Sequence, residues 1–143
     1  MFTGQDCQMD SLSITAKVDN LDRVTGFVLD HLKGTECSSK VQLQIRLAVE
    51  EVFVNVSSYA YGTGEGSVEI GCDLRRDPLR LCVQFTDSGE PFDPLARDDP
   101  DTSEEALMGR VGGLGIFLVK TTMDNVRYER RGDKNVLTME KNI

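Results

Sequence analysis

A chain of 143 residues is long enough to bury one core and leaves little room for a second domain. Its 39% hydrophobic and 28% charged residues are ordinary for a globular protein, and its formal net charge of -8 disfavours direct nucleic-acid binding, which needs a basic face. No apolar run approaches the roughly 20 residues that cross a bilayer, and residues 1–10 lack the basic start and apolar middle of a signal peptide. The chain is therefore read as cytoplasmic, with no membrane contact, and its partners as proteins or small ligands.

Residues 1–10 are expected to form an N-terminal tail and residues 11–143 a single domain. Residues 11–18 alternate Leu12, Ile14, Ala16 and Val18 with polar neighbours, the period of a half-buried strand. Asp19 and Asn20 offer cap oxygens to a helix carrying Leu21, Val24, Phe27, Val28 and Leu32, and Gly34 closes it. The sole histidine, His31, falls in that helix's last turn and is read as a boundary residue rather than a phosphoacceptor or base.

Ser38 or Ser39 is expected to cap a central helix running to about Tyr59. At about 100° per residue, Val41, Ile45, Ala48, Val49, Val52 and Val56 gather into one apolar stripe, with Glu51 and Asn55 on its shoulder and Glu50 pointing away. Residues four apart are neighbours on a helix surface. Glu51 can accept a proton or orient a hydroxyl, and Asn55 offers a neutral oxygen suited to a hard cation. The same spacing also suits two ordinary boundary residues of an amphipathic helix.

After a glycine-rich turn at residues 62–66, residues 67–73 and 79–86 read as two strands. The second runs into Asp87-Ser88-Gly89-Glu90-Pro91-Phe92-Asp93-Pro94. An aspartate at a strand end can hold its carboxylate inward while a glycine two residues on lets a flat ligand approach; D-x-G is equally a plain turn. Residues 95–111 lack clear periodicity, and the connection of about residues 91–111 reads either as a lid ordered by a ligand or as a solvated acidic loop.

Gly112-Gly113-Leu114-Gly115 then opens a helix through Met123, presenting unpaired backbone N–H groups and the positive end of the helix dipole to an anion such as phosphate. It is neither a P-loop nor a dinucleotide fingerprint. Residues 125–130 and 135–141 read as a closing pair of strands. The four cysteines, Cys7, Cys37, Cys72 and Cys82, form no C-x-x-C pair, so free thiols are expected, with Cys72 and Cys82 on adjacent strands.

In order, E-x-x-x-N on a helix, D-x-G-x-P-F after a strand, a polar lid and G-G-L-G opening another helix resemble the nucleotide-binding domain of the GHKL, or Bergerat-fold, ATPases. Gyrase, heat-shock chaperone ATPases, sensor histidine kinases and mismatch-repair ATPases share this domain. The resemblance implies an α/β two-layer sandwich (α+β), in which a mixed, mostly antiparallel sheet carries helices on one face and ATP lies between the helices under the lid. Within that superfamily the chain is similar to the bacterial anti-sigma-factor serine/threonine kinases. The marks are Glu51 to Asn55 followed by Tyr59-Ala60-Tyr61, the Asp87 to Pro94 run, the Gly112 to Val119 run, and Met123-Asp124.

By that resemblance Asn55 is the magnesium ligand bridging the ATP phosphates, and Glu51 is the general base. Asp87 reads the adenine amine, Gly89 leaves room for the ring, and Phe92 belongs to the ATP-binding set. Gly112, Gly113, Leu114 and Gly115 form the phosphate side. Thr138 adds a hydroxyl behind the adenine or is an ordinary strand threonine. The implied cofactors are ATP and Mg2+. The implied activity is phosphorylation of a STAS-type anti-anti-sigma protein, with a sigma factor or other regulated protein as second partner, and a homodimer as the assembly. The alternative is an ATP-binding module whose nucleotide-gated lid controls a protein interface without phosphoryl transfer. Tyr59 stands where many relatives carry histidine or another polar residue, which leaves partner identity open.

Overall fold

The computed structural model describes residues 9–59, 66–76, 78–96 and 114–143. Strand β1 (Asp10–Thr15) is followed by a 3-10 turn (Val18–Asn20), helix α1 (Leu21–Asp30) and the long helix α2 (Ser39–Tyr59). Strands β2 (Ser67–Arg75) and β3 (Arg80–Asp87) come next, then a short 3-10 turn at Pro94–Ala96. Helix α3 (Leu114–Thr122) and strands β4 (Asn125–Arg131) and β5 (Lys134–Asn142) close the chain. The expected elements are all present, most with ends shifted by a residue or two; the first strand stops at Thr15, three residues short of the expected end, and Val18 opens the 3-10 turn instead. Residues 1–8 of the expected tail and most of the expected lid lie outside the described residues, and Asp10, placed in the tail by expectation, already pairs with Cys72 as the first residue of β1.

The five strands form one sheet in the order β1-β2-β3-β5-β4. The two-layer α+β architecture is as expected, but every hydrogen-bonded pair is antiparallel rather than mixed. Two helices, not one, separate β1 from β2, so the chain returns to the sheet running the opposite way. β3 and β4 do run in the same direction across α3, yet β5 lies between them and pairs antiparallel with both.

Period-two alternation decides which side chains meet the helices. Ile14, Val68, Ile70, Leu81, Val83, Phe85, Leu137 and Met139 face Val24 and Val28 of α1, Ile45, Val49, Val52 and Phe53 of α2, and Val119 of α3 in one buried cluster. Helix α2 starts where the sequence places it: the Ser38 hydroxyl accepts the Val41 N–H at 3.2 Å, an N-cap that satisfies one of the orphan donors of the first turn. Cys72 belongs to the helix-facing cluster, whereas Cys82 pairs with Asp73 in register and so points to the other face of the sheet. His31 is a boundary residue: its ring sits 2.8 Å from the Asp10 carboxylate and 2.9 Å from the Phe27 carbonyl, tying the end of α1 to the start of β1.

Candidate functional site

β3 ends by delivering Asp87 to the helix-facing side of the sheet, where the residue is only 6% exposed. Its Oδ1 accepts the Gly89 N–H at 2.9 Å, closing a tight turn, and the Asn135 carboxamide Nδ2 at 2.9 Å. Among the described residues both of these hydrogen bonds fall on Oδ1, so Oδ2 is the oxygen left for something else. Gly89 is held from its other side as well, because its carbonyl accepts Arg130 Nη1 at 2.8 Å.

A pocket opens beside this carboxylate, and segments far apart in the chain converge on it. Asn55 and Val52 come from α2, Asp87 and Phe85 from β3, Phe92 and Pro94 from the following loop, Ile116 from α3, and Tyr128, Asn135 and Leu137 from the terminal hairpin. Its walls are thus largely apolar with a few polar groups converging, the usual character of a site for a flat organic ligand. Asn55 is half-buried, as its place on the shoulder of the α2 stripe predicts, while Glu51, one turn earlier, is exposed.

Glu51 nonetheless lies close against the glycine motif. An ideal Cβ built on Gly115 would collide with the Glu51 carboxylate and would lie 2.9 Å from its Cγ. The opening turn of α3 and the acidic residue of α2 therefore touch, and with the carboxylate in this position only a residue without a side chain fits. Leu114 is the first residue of α3, whereas Gly112 and Gly113 lie outside the described residues.

Thr138 requires a correction. The resemblance offers its hydroxyl to the pocket, but it sits three positions after Asn135, an odd step, and so points to the opposite face of the sheet. There it is 4% exposed, pairs with Gln84 in register and accepts Gln84 Nε2 at 3.1 Å. The residue directly across the ladder from Asp87 is Asn135. Sequence reasoning misses it, together with Tyr128 and Arg130, because period-two patterning fixes which residues share a face but not which residue of one strand stands opposite which of another. Asn135 is also 6% exposed, and its Oδ1 accepts the Tyr128 hydroxyl at 2.6 Å.

Burial pushes the Cys72 thiol up to about 12, with the negative charge of Cys82, Asp10 and Asp73 adding to the effect. It lies in the core and is no part of the pocket. No cluster of three or more His, Cys, Asp or Glu side chains suited to a metal occurs among the described residues. No helix there is long and apolar enough to cross a membrane.

Similarity to known proteins agrees with this geometry. The serine-protein kinase RsbW of Listeria monocytogenes serovar 1/2a is 34% identical over 100 residues, 66% of this chain and 62% of that one, so the match spans less than two thirds of the relative's length. The serine/threonine-protein kinase BtrW of Bordetella bronchiseptica is 26% identical over 102 residues, 71% of each chain. Among solved structures, the RsbU and RsbW domains of Rv1364c from Mycobacterium tuberculosis share the fold with a TM-score of 0.63 at 14% identity, covering 93% of this chain and 32% of that one. The family model for the histidine kinase-like ATPase domain matches residues 14–141. On that span, and with the strand-end aspartate, the α2 carboxamide and the opening of α3 drawn together, the chain belongs to the histidine kinase-like ATPase domain family.

Proposed function

We propose that this protein is an ATP-dependent serine/threonine kinase of the anti-sigma-factor type, acting in the cytoplasm on a STAS-type anti-anti-sigma protein and holding a sigma factor or another regulated protein as its second partner. The observation that carries the reading is the convergence of Asn55, Asp87, Phe92 and Ile116 on one pocket, with Glu51 against the opening turn of α3. The kinase names of its relatives point the same way.

In this reading the purine enters the apolar pocket and its exocyclic amine donates to Asp87 Oδ2, the oxygen its neighbours leave unused. Phe92 and Ile116 exclude water around the ring. The backbone N–H groups at the start of α3, from Leu114 onward, have no partners within the helix and take phosphate oxygens, with the helix dipole favouring their charge. By the family resemblance Gly112 and Gly113, which lie outside the described residues, belong to the same phosphate-binding set. Asn55 suits a cation that keeps most of its ligands as phosphates and waters and needs only one or two protein oxygens. A magnesium ion, when bound, neutralises phosphate charge.

Glu51 is the general base. The acceptor hydroxyl attacks the γ-phosphorus, its oxygen forms the new P–O bond, the bond to the bridging oxygen of ADP breaks, and the hydroxyl proton passes to the Glu51 carboxylate. Positioning and charge neutralisation supply most of the acceleration in such transfers.

The test is phosphate incorporation into a cognate STAS protein by the wild type and by Glu51→Gln, which keeps shape and removes basicity. A fall of about a hundredfold, within the range a positioned base contributes, supports the assignment. Equal incorporation removes Glu51 from the role. Nucleotide binding without incorporation by either form selects the nucleotide-gated binding module instead.

A further inference from the structure

Asn135 is placed to touch a ligand, yet its hydrogen-bonding capacity is committed to the protein. Both carboxamide donors are used: Nδ2 gives one hydrogen to Asp87 Oδ1 at 2.9 Å and the other to the Glu90 carbonyl at 2.8 Å. Its Oδ1 receives the Tyr128 hydroxyl at 2.6 Å, Arg130 Nη1 at 3.2 Å and the Phe92 N–H at 3.3 Å, more donors than an amide oxygen has lone pairs. The orientation is unambiguous, because one end meets only acceptors and the other only donors.

We infer that Asn135 is a positioning residue that sets base specificity: it pins Oδ1 of Asp87 so that Oδ2 faces the pocket as an acceptor, selecting purines that carry an exocyclic amine at C6. The inference rests on the reading of this pocket as an adenine-nucleotide site. Tyr128 and Arg130 act one step further out. Tyr128 holds the carboxamide from the β4 side, and Arg130 bridges it to the Gly89 carbonyl at 2.8 Å. Without the clamp the Gly89 N–H is, among the described residues, the one hydrogen bond left on Asp87 Oδ1, so the carboxylate is held less firmly and an incoming C6 carbonyl meets a less fixed negative oxygen.

The experiment compares Mg-ADP with Mg-IDP by calorimetry on the wild type, Asn135→Ala and Tyr128→Phe, with thermal unfolding measured on each. Inosine differs in presenting a carbonyl where adenine presents the amine. Wild type is expected to prefer ADP. Asn135→Ala is expected to narrow the ADP-to-IDP affinity ratio by about tenfold, the scale of one hydrogen bond to a charged group. Tyr128→Phe, which removes one neutral donor, is expected to narrow it by about threefold.

Equal weakening of both nucleotides, with the ratio kept, marks Asn135 as merely structural and overturns the inference while leaving the adenine site standing. Failure of the wild type to bind either nucleotide overturns the site and the inference together. If Asn135→Ala does not fold, Tyr128→Phe decides the matter, and an unchanged ratio in that variant overturns the proposal.

Discussion

Gly115 leaves room for the carboxylate of Glu51: a Cβ on the glycine would occupy the space that carboxylate fills. The obstructed group is the far end of a flexible side chain, so Gly115→Ala is expected to fold normally and to push the Glu51 carboxylate aside rather than part the helices. Phosphoryl transfer should fall about tenfold or more, since a misplaced catalytic group of this kind costs on that scale, while ADP affinity stays within a small factor of wild type. Kinetics alongside calorimetry check this. Loss of ADP binding together with activity would show that the glycine serves the phosphate cradle instead.

Asp87→Asn separates the two oxygens of that residue. An asparagine can keep its Oδ1 toward the Gly89 N–H and Asn135 Nδ2, preserving both 2.9 Å contacts, while its Nδ2 replaces the pocket-facing acceptor with a donor. Adenine nucleotides should lose at least about tenfold in affinity, because two donors then face each other, with little change in melting temperature. Calorimetry with Mg-ADP measures it; wild-type affinity in the variant would take Asp87 out of the purine site.

Burial raises the Cys72 thiol from an ordinary 9.0 to about 12, so in the folded protein it stays neutral over a range in which the unfolded chain ionises it. Between about pH 9 and 12 the folded state holds the extra proton, and stability falls as pH rises through that window. Below it the contribution is fully present. Denaturant melts across this range should show a steeper alkaline loss for wild type than for Cys72→Ala. A parallel decline in both proteins would assign the alkaline loss to other groups.

Phe53, on α2, is fully buried in the core cluster and takes no part in the pocket lining. Phe53→Ala is expected to destabilise the fold by about 3–5 kcal/mol through lost transfer energy and the cavity it leaves. Urea unfolding followed by circular dichroism gives the value, and a loss under about 1 kcal/mol would mean the core closes over the gap.

The parts of this architecture set by local chemistry are legible in the chain. The Ser38 cap, the Ile45 to Val52 stripe and the alternation of Leu81, Val83 and Phe85 each announce their element, because each depends on residues within a turn or a strand of one another. The Glu51 and Asn55 pair and the Asp87 turn are legible for the same reason, and family resemblance ties them together. What is not legible depends on how strands align with one another. Thr138 and Asn135 lie three apart on the same strand, and both are polar residues suited to a hydrogen bond. Only the antiparallel pairing of β3 with β5 reveals that Asn135 faces Asp87 and Thr138 faces Gln84. The all-antiparallel sheet is hidden likewise, since the chain does not say that β5 inserts between β3 and β4.

The clamp on Asp87 spans 48 positions of sequence, and the Arg130 contact to Gly89 spans 41. Contacts so distant along the chain must each offset the entropy of closing the intervening loop. During synthesis on the ribosome the α2 and β3 portions emerge well before the terminal hairpin, so a nascent chain has the wall of the pocket without its latch. The pocket wall that Asn135 supplies is therefore complete only once β5 has docked in register beside β3.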